Sequence, residues 1–281
     1  MRAQREMEGA HRSGIEGIAF WAPRLPGWSR ARTVLRGLEP APEGDAPRPV
    51  PSILPAAERR RAPDTVALAL EVAASACENA GCRPSSLASV FASTHGDLTI
   101  SDYMSATLAA DPRLISPTKF HNSVHNAPAG YWTIATGSMR AYTSVSALHD
   151  TFANGLLEAL VQSTSSGERV LLVAYDIAAR GPLATVAYSR GLLAVALVLG
   201  PPGSGARELS WRTRDAAGQE PTRAQPANAA LVDGNALASC LPLFEALALD
   251  VPRSLMLRLS AGKMLQLDLG AAPSCAHEPC P

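Results

Sequence analysis

Apolar residues along the chain fall into two patterns, short runs of strand length and longer runs of helix length. Apolar runs bounded by Gly, Pro or charged residues are typical of buried strands, and longer runs indicate helices. Because the two kinds of run alternate, the pattern predicts an α/β protein with a buried sheet. The predicted strands are 14–23, 87–94, 141–148, 168–176, 191–201, 207–215, 254–259 and 263–269, and the predicted helices are 64–81, 100–111, 125–138, 150–162 and 235–250.

Two pairs of strands near the C-terminus are predicted to be antiparallel neighbours. A Gly/Pro-rich turn at 200–205 joins strands 191–201 and 207–215, and a Ser-Ala-Gly turn joins strands 254–259 and 263–269. The turn "GPPGSG" is rich in glycine but lacks the Lys-Ser/Thr of a phosphate-binding loop. It is therefore interpreted as a structural turn.

Three segments show neither the strand-length nor the helix-length pattern of apolar residues. Residues 24–63 are rich in Pro and Arg and are predicted to be a long loop or partly disordered insert. Residues 216–234 read as a polar, Ala-rich linker, and residues 271–281 as a flexible tail. The rest is expected to form one domain, so that residues 1–281 are a single unit.

The balance of charged residues bears on which kinds of partner the chain can bind. The chain has 25 Lys and Arg against 25 Asp and Glu, so nothing favours nucleic acid or an anionic membrane surface. The charged N-terminus lacks the apolar run of a signal peptide, and no later segment is a continuous apolar span of membrane length. We therefore expect a cytoplasmic protein.

The cysteines do not indicate a disulfide framework, because their number, 5, is odd and no secretion signal accompanies them. Cys275, His277 and Cys280 lie close together in the tail, but zinc sites normally gather two ligand pairs through a fold. His121 and His125 have the spacing of two zinc ligands on one helix face, but no third ligand is evident, so they are interpreted as hydrogen-bonded structural histidines. We expect no metal site and no cofactor.

Residues 144–162, "SVSALHDTFANGLLEALVQ", are predicted to run from a strand into a helix through a tight corner at 148–150. Enzymes place nucleophiles at such junctions, where the helix dipole is positive. The candidates are Ser144, Ser146 and His149, and no cysteine is present. The motif G-x-S-x-G is absent, and period-two alternation makes the two serines ordinary strand residues.

The segment "ISPTKFHNSVHNAPAGYWTIATG" at 115–137 resembles the segment before the active-site strand of β-ketoacyl synthases. The shared pattern is Ser-Pro, then Asn, then Ala-Gly opening a helix, then Gly. Extending the alignment without a gap places the family's catalytic cysteine on His149, with Asp150 beside it. The resemblance implies a thiolase-like layered α/β/α fold, truncated in its C-terminal half.

The resemblance also implies that the chain has lost its catalytic set. Ketosynthases need a thiolate and two histidines from the C-terminal half, in His-Gly-Thr and Asn-x-x-x-Gly-His segments, and neither segment occurs here. The runs "SVHNAPAGYW" and "DTFANGLLEA" are most similar to short chain length factors of aryl polyene and xanthomonadin-type pigment clusters. Such proteins pair with a full ketosynthase, so the implied role is a non-catalytic subunit of a heterodimer that meets an acyl carrier protein through the complex.

In thiolase-like dimers the strand before the nucleophile pairs across the two-fold axis, which implies an interface here. The implied interface residues are Tyr142, Thr143, Ser144, Val145, Ser146, Leu148, Asn126 and Gly130. A strand of small alternating residues suits this role, since it would otherwise be an exposed sheet edge.

Two other functions remain open at this point. One is a stand-alone acyltransferase or thioesterase that uses His149 as general base, oriented by Asp150 or Glu158. The other is a purely structural dimer-former whose residues do not line an acyl tunnel. The sequence does not specify the length or head group of the acyl chain, the carrier protein, or whether a homodimer forms.

Overall fold

A computed structural model describes residues 9–270 of the chain. The strands are β1 (His11–Ala22), β2 (Leu25–Pro26), β3 (Ala88–Ala92), β4 (Tyr142–Val145), β5 (Val170–Asp176), β6 (Leu193–Gly200), β7 (Arg207–Asp215), β8 (Arg253–Ser260) and β9 (Lys263–Leu269). Within the described residues they form one 9-stranded sheet in the order β4-β3-β5-β6-β1-β7-β9-β8, and β2 pairs with β1 off this path. β3 is parallel to β4 and β5, and the other pairings are antiparallel. The sheet is therefore mixed.

Helices connect the strands and cover the sheet. They are α1 (Trp28–Leu35), α2 (Ala56–Arg61), α3 (Asp64–Asn79), α4 (Leu98–Ala110), α5 (Pro117–His121), α6 (Ala127–Thr136), α7 (Thr151–Ser166), α8 (Pro226–Ala229) and α9 (Leu241–Leu249). Short 3-10 turns occur at Pro84–Ser86, Pro112–Leu114, Leu148–Asp150, Gly181–Thr185 and Ala238–Cys240. None of the described helices has both the length and the apolar character needed to cross a membrane.

The alternation of side chains along the strands builds two cores, one on each face of the sheet. In β3, Val90 joins the core that contains Phe152 of α7 and Phe244 of α9. Its neighbour Phe91 points the other way, into the core that contains Trp132 of α6 and the buried face of α3. Because successive strand residues face opposite sides, helices are required on both. The predicted layered α/β/α architecture is confirmed.

The predicted pairing of β6 with β7 is wrong, because β1 lies between them. β1 has 12 residues, enough for its beginning to pair with β7 and for residues 14–21 to pair with β6. The connection from β6 to β7 passes so close to β1 that a Cβ atom on Gly205 would lie 2.3 Å from the Ile15 carbonyl oxygen. The glycine-rich turn therefore allows a crossing of β1, where a hairpin was expected. The hairpin of β8 and β9 forms as predicted.

Residues 24–63, predicted to be a loop or insert, contain α1 and α2. α1 buries Ala31, Val34 and Leu35, which have the i, i+3, i+4 spacing of an amphipathic helix. Only three buried positions in an Arg-rich stretch give a weak periodic signal, which explains why the sequence predicted a loop where α1 forms. The irregular part is fixed by side chains such as Arg24, whose Nε donates to the Pro42 carbonyl at 2.6 Å.

Residues 216–234, predicted to be a linker, contain the short helix α8 and are attached to α9. Glu245 of α9 accepts hydrogen bonds from the Gln225 backbone N–H at 2.9 Å and from Asn228 Nδ2 at 2.7 Å. The predicted tail at 271–281, with Cys275, His277 and Cys280, lies outside the described residues. The single domain over the whole chain stays a prediction.

α7 packs directly onto β3 because Gly155 has no side chain. A Cβ atom at Gly155 would lie 2.6 Å from the Ala92 Cβ, which is closer than packed carbon atoms approach. Gly155→Ala should therefore lower the free energy of unfolding by about 1–2 kcal/mol, since overpacking outweighs the gain in helix propensity. The measurement is urea unfolding followed by circular dichroism.

The matched control is Gly130→Ala in α6, where nothing lies within 4 Å of an added Cβ atom. This variant should raise the free energy of unfolding by about 0.5–1 kcal/mol, because alanine favours helix more than glycine. Equal effects of the two substitutions would contradict the close packing of α7 on β3.

Candidate functional site

The predicted corner between strand and helix exists, and it is strained. β4 ends at Val145, the 3-10 turn covers 148–150, and α7 begins at Thr151. Leu148 has a φ of 49°, a left-handed conformation that costs a bulky residue about 1–3 kcal/mol. Such strain persists only where surrounding contacts enforce it.

Hydrogen bonds from two segments hold this corner in place. Thr151 Oγ1 donates to the Leu148 carbonyl at 2.7 Å and accepts from the Ala147 N–H at 2.9 Å. Thr94, just after β3, reaches the same Leu148 carbonyl through its hydroxyl at 3.3 Å, and Ser146 Oγ donates to the Thr94 carbonyl at 3.0 Å. The left-handed conformation of Leu148 is thus fixed by side chains on both sides of the turn.

The side chain presented at the strained position is that of Leu148, which is 69% exposed. In nucleophile elbows the reactive residue stands on this kind of strand-to-helix turn. The backbone geometry therefore favours Leu148 as the corner residue, and the alignment that places His149 there stays a prediction. Neither side chain is a thiol, and no cysteine lies between Cys82 and Cys240.

The structure describes three cysteines, Cys77, Cys82 and Cys240, and none of them stands on the corner. Cys77 is in α3, and Cys240 ends the 3-10 turn before α9. Both are buried, and burial raises the pKa of each thiol above its ordinary value. A thiolate, the form that attacks acyl groups, is therefore disfavoured at both positions.

Asp176, at the end of β5, holds the loop after β3 that supports the corner. This residue was not identified from the sequence. Its buried carboxylate accepts hydrogen bonds from Ser93 Oγ at 2.9 Å, the Thr94 N–H at 2.9 Å and the His95 N–H at 3.2 Å. Burial raises the pKa of Asp176, while the hydrogen bonds from Thr94 and Ser93 act in the opposite direction. The carboxylate thus fixes the loop after β3, which in turn holds Leu148.

The two histidines with zinc-ligand spacing have separate surroundings. His125 Nε2 lies 2.8 Å from the Ser93 carbonyl oxygen, and Tyr175 donates to the His125 carbonyl at 3.4 Å. The His121 ring packs edge-on to Tyr131, with ring centroids 6.1 Å apart. Within residues 9–270, no group of three His, Cys, Asp or Glu side chains is arranged to hold a metal ion.

His149 does not have the partners that the alternative mechanism requires. It is exposed, and the described residues give its ring no hydrogen bond. Asp150 is paired instead with Arg258 of β8, with 2.7 Å between Oδ1 and Nε. Glu158 accepts a hydrogen bond from Gln162 at 2.8 Å. Neither proposed orienting carboxylate is directed to the imidazole.

A cavity of about 560 Å³ lies beside His149, between α7, β8 and residues 220–224. Its wall includes apolar side chains such as Ala153 and Leu257, and its rim carries the Asp150–Arg258 ion pair. A space of this kind could hold a small amphipathic molecule.

β4 is one of the two edge strands of the sheet and is paired only with β3 among the described strands. The hydroxyl of Tyr142 accepts a hydrogen bond from Asn126 Nδ2 at 3.0 Å, which ties the start of α6 to β4. Thr143 accepts a hydrogen bond from Gln162 at 3.0 Å, and Ser144 Oγ is buried without a partner in the described residues. The predicted interface residues therefore lie along one free edge and the helix next to it.

Large apolar side chains are exposed along the chain from α5 to the corner that follows β4. Monomeric proteins seldom expose many such residues together, and a free edge strand adds to the risk of aggregation. We call this set the edge surface: Phe120 (61% exposed), Val124 (50%), Ile134 (77%), Met139 (97%), Tyr142 (39%) and Leu148 (69%).

Fold and site together define a class: a layered α/β/α protein with a strained strand-to-helix corner of the kind that holds nucleophiles, next to a free sheet edge. The family model described as the N-terminal domain of β-ketoacyl synthase matches residues 28–250. The chain belongs to this family, as its resemblance at 115–137 predicted. No curated protein matches it.

Solved structures of ketosynthase complexes are similar to the chain. One is the ketosynthase ApeO in complex with its chain length factor ApeC from Xenorhabdus doucetiae, with 24% identity, a TM-score of 0.69 and coverage of 91% of this chain and 98% of that chain. Another is the AntDE:AntF complex of a type II polyketide ketosynthase with its acyl carrier protein, with 10% identity, a TM-score of 0.71 and coverage of 93% and 99%. The ishigamide ketosynthase/chain length factor has 14% identity, a TM-score of 0.67 and coverage of 92% and 99%.

At these identities the likeness shows the fold. The predicted thiolase-like fold is confirmed.

Proposed function

We propose that this chain is a non-catalytic partner subunit of a β-ketoacyl synthase, in the manner of a chain length factor. The observation that carries the proposal is that the family's strand-to-helix corner is retained while its side chains are Leu148 and His149. Neither can form the thioester that a condensing enzyme needs. Residues 1–281 contain neither of the two histidine segments that the resemblance calls for.

The edge surface supports pairing with another chain. β4 offers unpaired backbone groups on one side, and apolar residues flank it. Pairing an edge strand with a second edge strand satisfies its N–H and C=O groups, and burial of Ile134 and Met139 adds a hydrophobic contribution. The proposed partner is a full ketosynthase, and the implied interface residues from Tyr142 to Leu148, with Asn126 and Gly130, belong to this contact.

The finer assignment rests on sequence. The runs at 123–132 and 150–159 are similar to those of factors in aryl polyene and xanthomonadin-type clusters, so we propose a role in polyene or fatty-acid-type elongation. The acyl carrier protein would meet the chain through the heterodimer. A cytoplasmic location stays a prediction.

A second candidate function is a stand-alone acyltransferase or thioesterase. The cavity beside His149 favours it, since an acyl group would lie next to an exposed imidazole. Against it, Asp150 is engaged by Arg258, and no nucleophile accompanies the histidine.

Co-expression with a candidate partner ketosynthase from the same genome should give a one-to-one complex by size-exclusion chromatography with mass determination. Elongation from a malonyl-carrier substrate should require both chains, because each lacks part of the assembly. The matched control is the complex containing His149→Ala, which should elongate normally. A chain that stays monomeric beside its ketosynthase would contradict the proposal, and turnover by the isolated chain that His149→Ala abolishes would establish the second candidate.

A further inference from the structure

A second cavity, of about 230 Å³, lies where the end of α2, the start of α4 and α5 meet. It shares no lining residue with the cavity beside His149. Neither the family assignment nor the proposed function gives it a role. Its polar lining includes Arg61, Lys119, Arg180, Asn122, Thr99 and Thr118.

The lining of this cavity carries more cationic than anionic side chains, namely Arg61, Lys119 and Arg180 against Asp64 and Asp97. Arg61, Lys119 and Arg180 come from three separate segments, and none forms an ion pair with a carboxylate of the described residues. Lys119 instead lies 5.8 Å from the centroid of the Tyr103 ring. Three cations against two carboxylates around one cavity give it a net positive charge, which favours an anionic ligand.

The two acidic residues of the same cavity are already engaged. Asp64 is paired with Arg48, with 2.8 Å between Oδ1 and Nε. Asp97 is buried and accepts hydrogen bonds from Thr65 Oγ1 at 3.1 Å and from the Ile100 N–H at 2.9 Å. Asp64 is partly exposed beside Arg48. Burial raises the pKa of Asp97, and Lys119 is close enough for its attraction to act in the opposite direction. The three cations therefore outnumber the two carboxylates of the lining, one of which is shared with Arg48.

Asn122 provides an independent sign of a missing ligand. It is only 4% exposed, it lines the cavity, and its Oδ1 has no hydrogen-bond partner among the described residues. A buried polar group without a partner costs about 1–3 kcal/mol, so such a group in a native protein calls for a partner. Its Nδ2 also forms no hydrogen bond within the described residues, so Asn122 can donate to an anion.

We propose that this cavity binds a phosphate group, either as inorganic phosphate or as the terminal group of a small phosphate ester. The guanidinium groups of Arg61 and Arg180 can each donate two parallel hydrogen bonds to oxyanions, and Lys119 adds a point charge. Asn122 and the hydroxyls of Thr99 and Thr118 supply neutral donors to the remaining oxygens. The inference stands apart from the proposed pairing with a ketosynthase.

Isothermal titration calorimetry on the purified full chain tests the site, with inorganic phosphate and methyl phosphate as separate probes and ionic strength held constant with chloride. Binding in the millimolar range is expected. Arg61→Gln and Arg180→Gln should each weaken it by about fivefold, the upper range for one exposed charge pair. Asn122→Asp should reduce it below detection, because it places a carboxylate against the anion.

The matched control is Arg60→Gln, which removes the same charge from an exposed neighbour on α2 that does not line the cavity. Phosphate affinity should be unchanged in this variant. Equal losses in the Arg60 and Arg61 variants, or heats no larger than those of acetate, would overturn the proposal. Binding of both probes would indicate a phosphate ester as the ligand, and binding of inorganic phosphate alone would indicate the free ion. Arginine variants on the surface keep the test valid even if Asn122→Asp does not fold.

Discussion

The double variant Ile134→Arg/Met139→Arg is expected to weaken association with the cognate ketosynthase by more than about 100-fold. The two side chains are 77% and 97% exposed, so the substitutions should leave the isolated chain folded. In the complex they would bury two guanidinium groups without partners, and uncompensated charges in an interface cost several kcal/mol. Size-exclusion mass determination of co-expressed chains measures the loss, and elongation activity should fall with it.

The matched control is Val50→Arg, which adds a positive charge at another exposed apolar residue, 66% accessible and far along the chain from β4. It should leave association unchanged. Equal weakening by the control would mean that added charge, and not the edge surface, is responsible. Full association of the double variant would remove the edge surface from the interface and with it the main structural support for pairing.

Local patterns were sufficient for most of the elements. The buried runs that became β3 and β5 are apolar on both faces because helices cover both sides of the sheet. The helices α3 and α7 begin close to where Asp64 and Asp150 were expected to mark their starts. These features depend on neighbours in sequence, which is why a single sequence predicts them.

Features that depend on distant residues were not predictable in the same way. The position of β1 between β6 and β7 is set by pairings across more than half of the chain, and a turn rich in glycine fits a hairpin and a crossing equally well. The left-handed conformation of Leu148 depends on Thr94, so sequence register alone placed His149 at the corner. The position of Asp176 at the end of a buried strand could have predicted its structural role, because a buried carboxylate must find hydrogen-bond donors.

Asp176→Ala should lower the free energy of unfolding by about 2–4 kcal/mol at neutral pH. The substitution leaves Ser93 Oγ and the N–H groups of Thr94 and His95 without their shared acceptor in a buried site. Because Thr94 also holds the Leu148 carbonyl, the corner should loosen, and amide hydrogen exchange at residues 147–151 should become faster. Urea unfolding and hydrogen exchange measure the two effects.

The pH dependence of this stability difference distinguishes the loss of the Asp176 carboxylate from the loss of side-chain volume in the Asp176→Ala variant. Burial raises the folded-state pKa of Asp176 above its ordinary value of 3.8, so the folded chain holds this proton more tightly than the unfolded chain. The associated stability is fully present below pH about 3.8 and is lost as pH rises through the folded pKa. The stability difference between the native chain and Asp176→Ala should therefore be largest in acid and narrow as pH rises. The exposed control Asp233→Ala should leave the free energy of unfolding unchanged at neutral pH. A difference that widens with pH would mean that the hydrogen bonds to the carboxylate outweigh its burial.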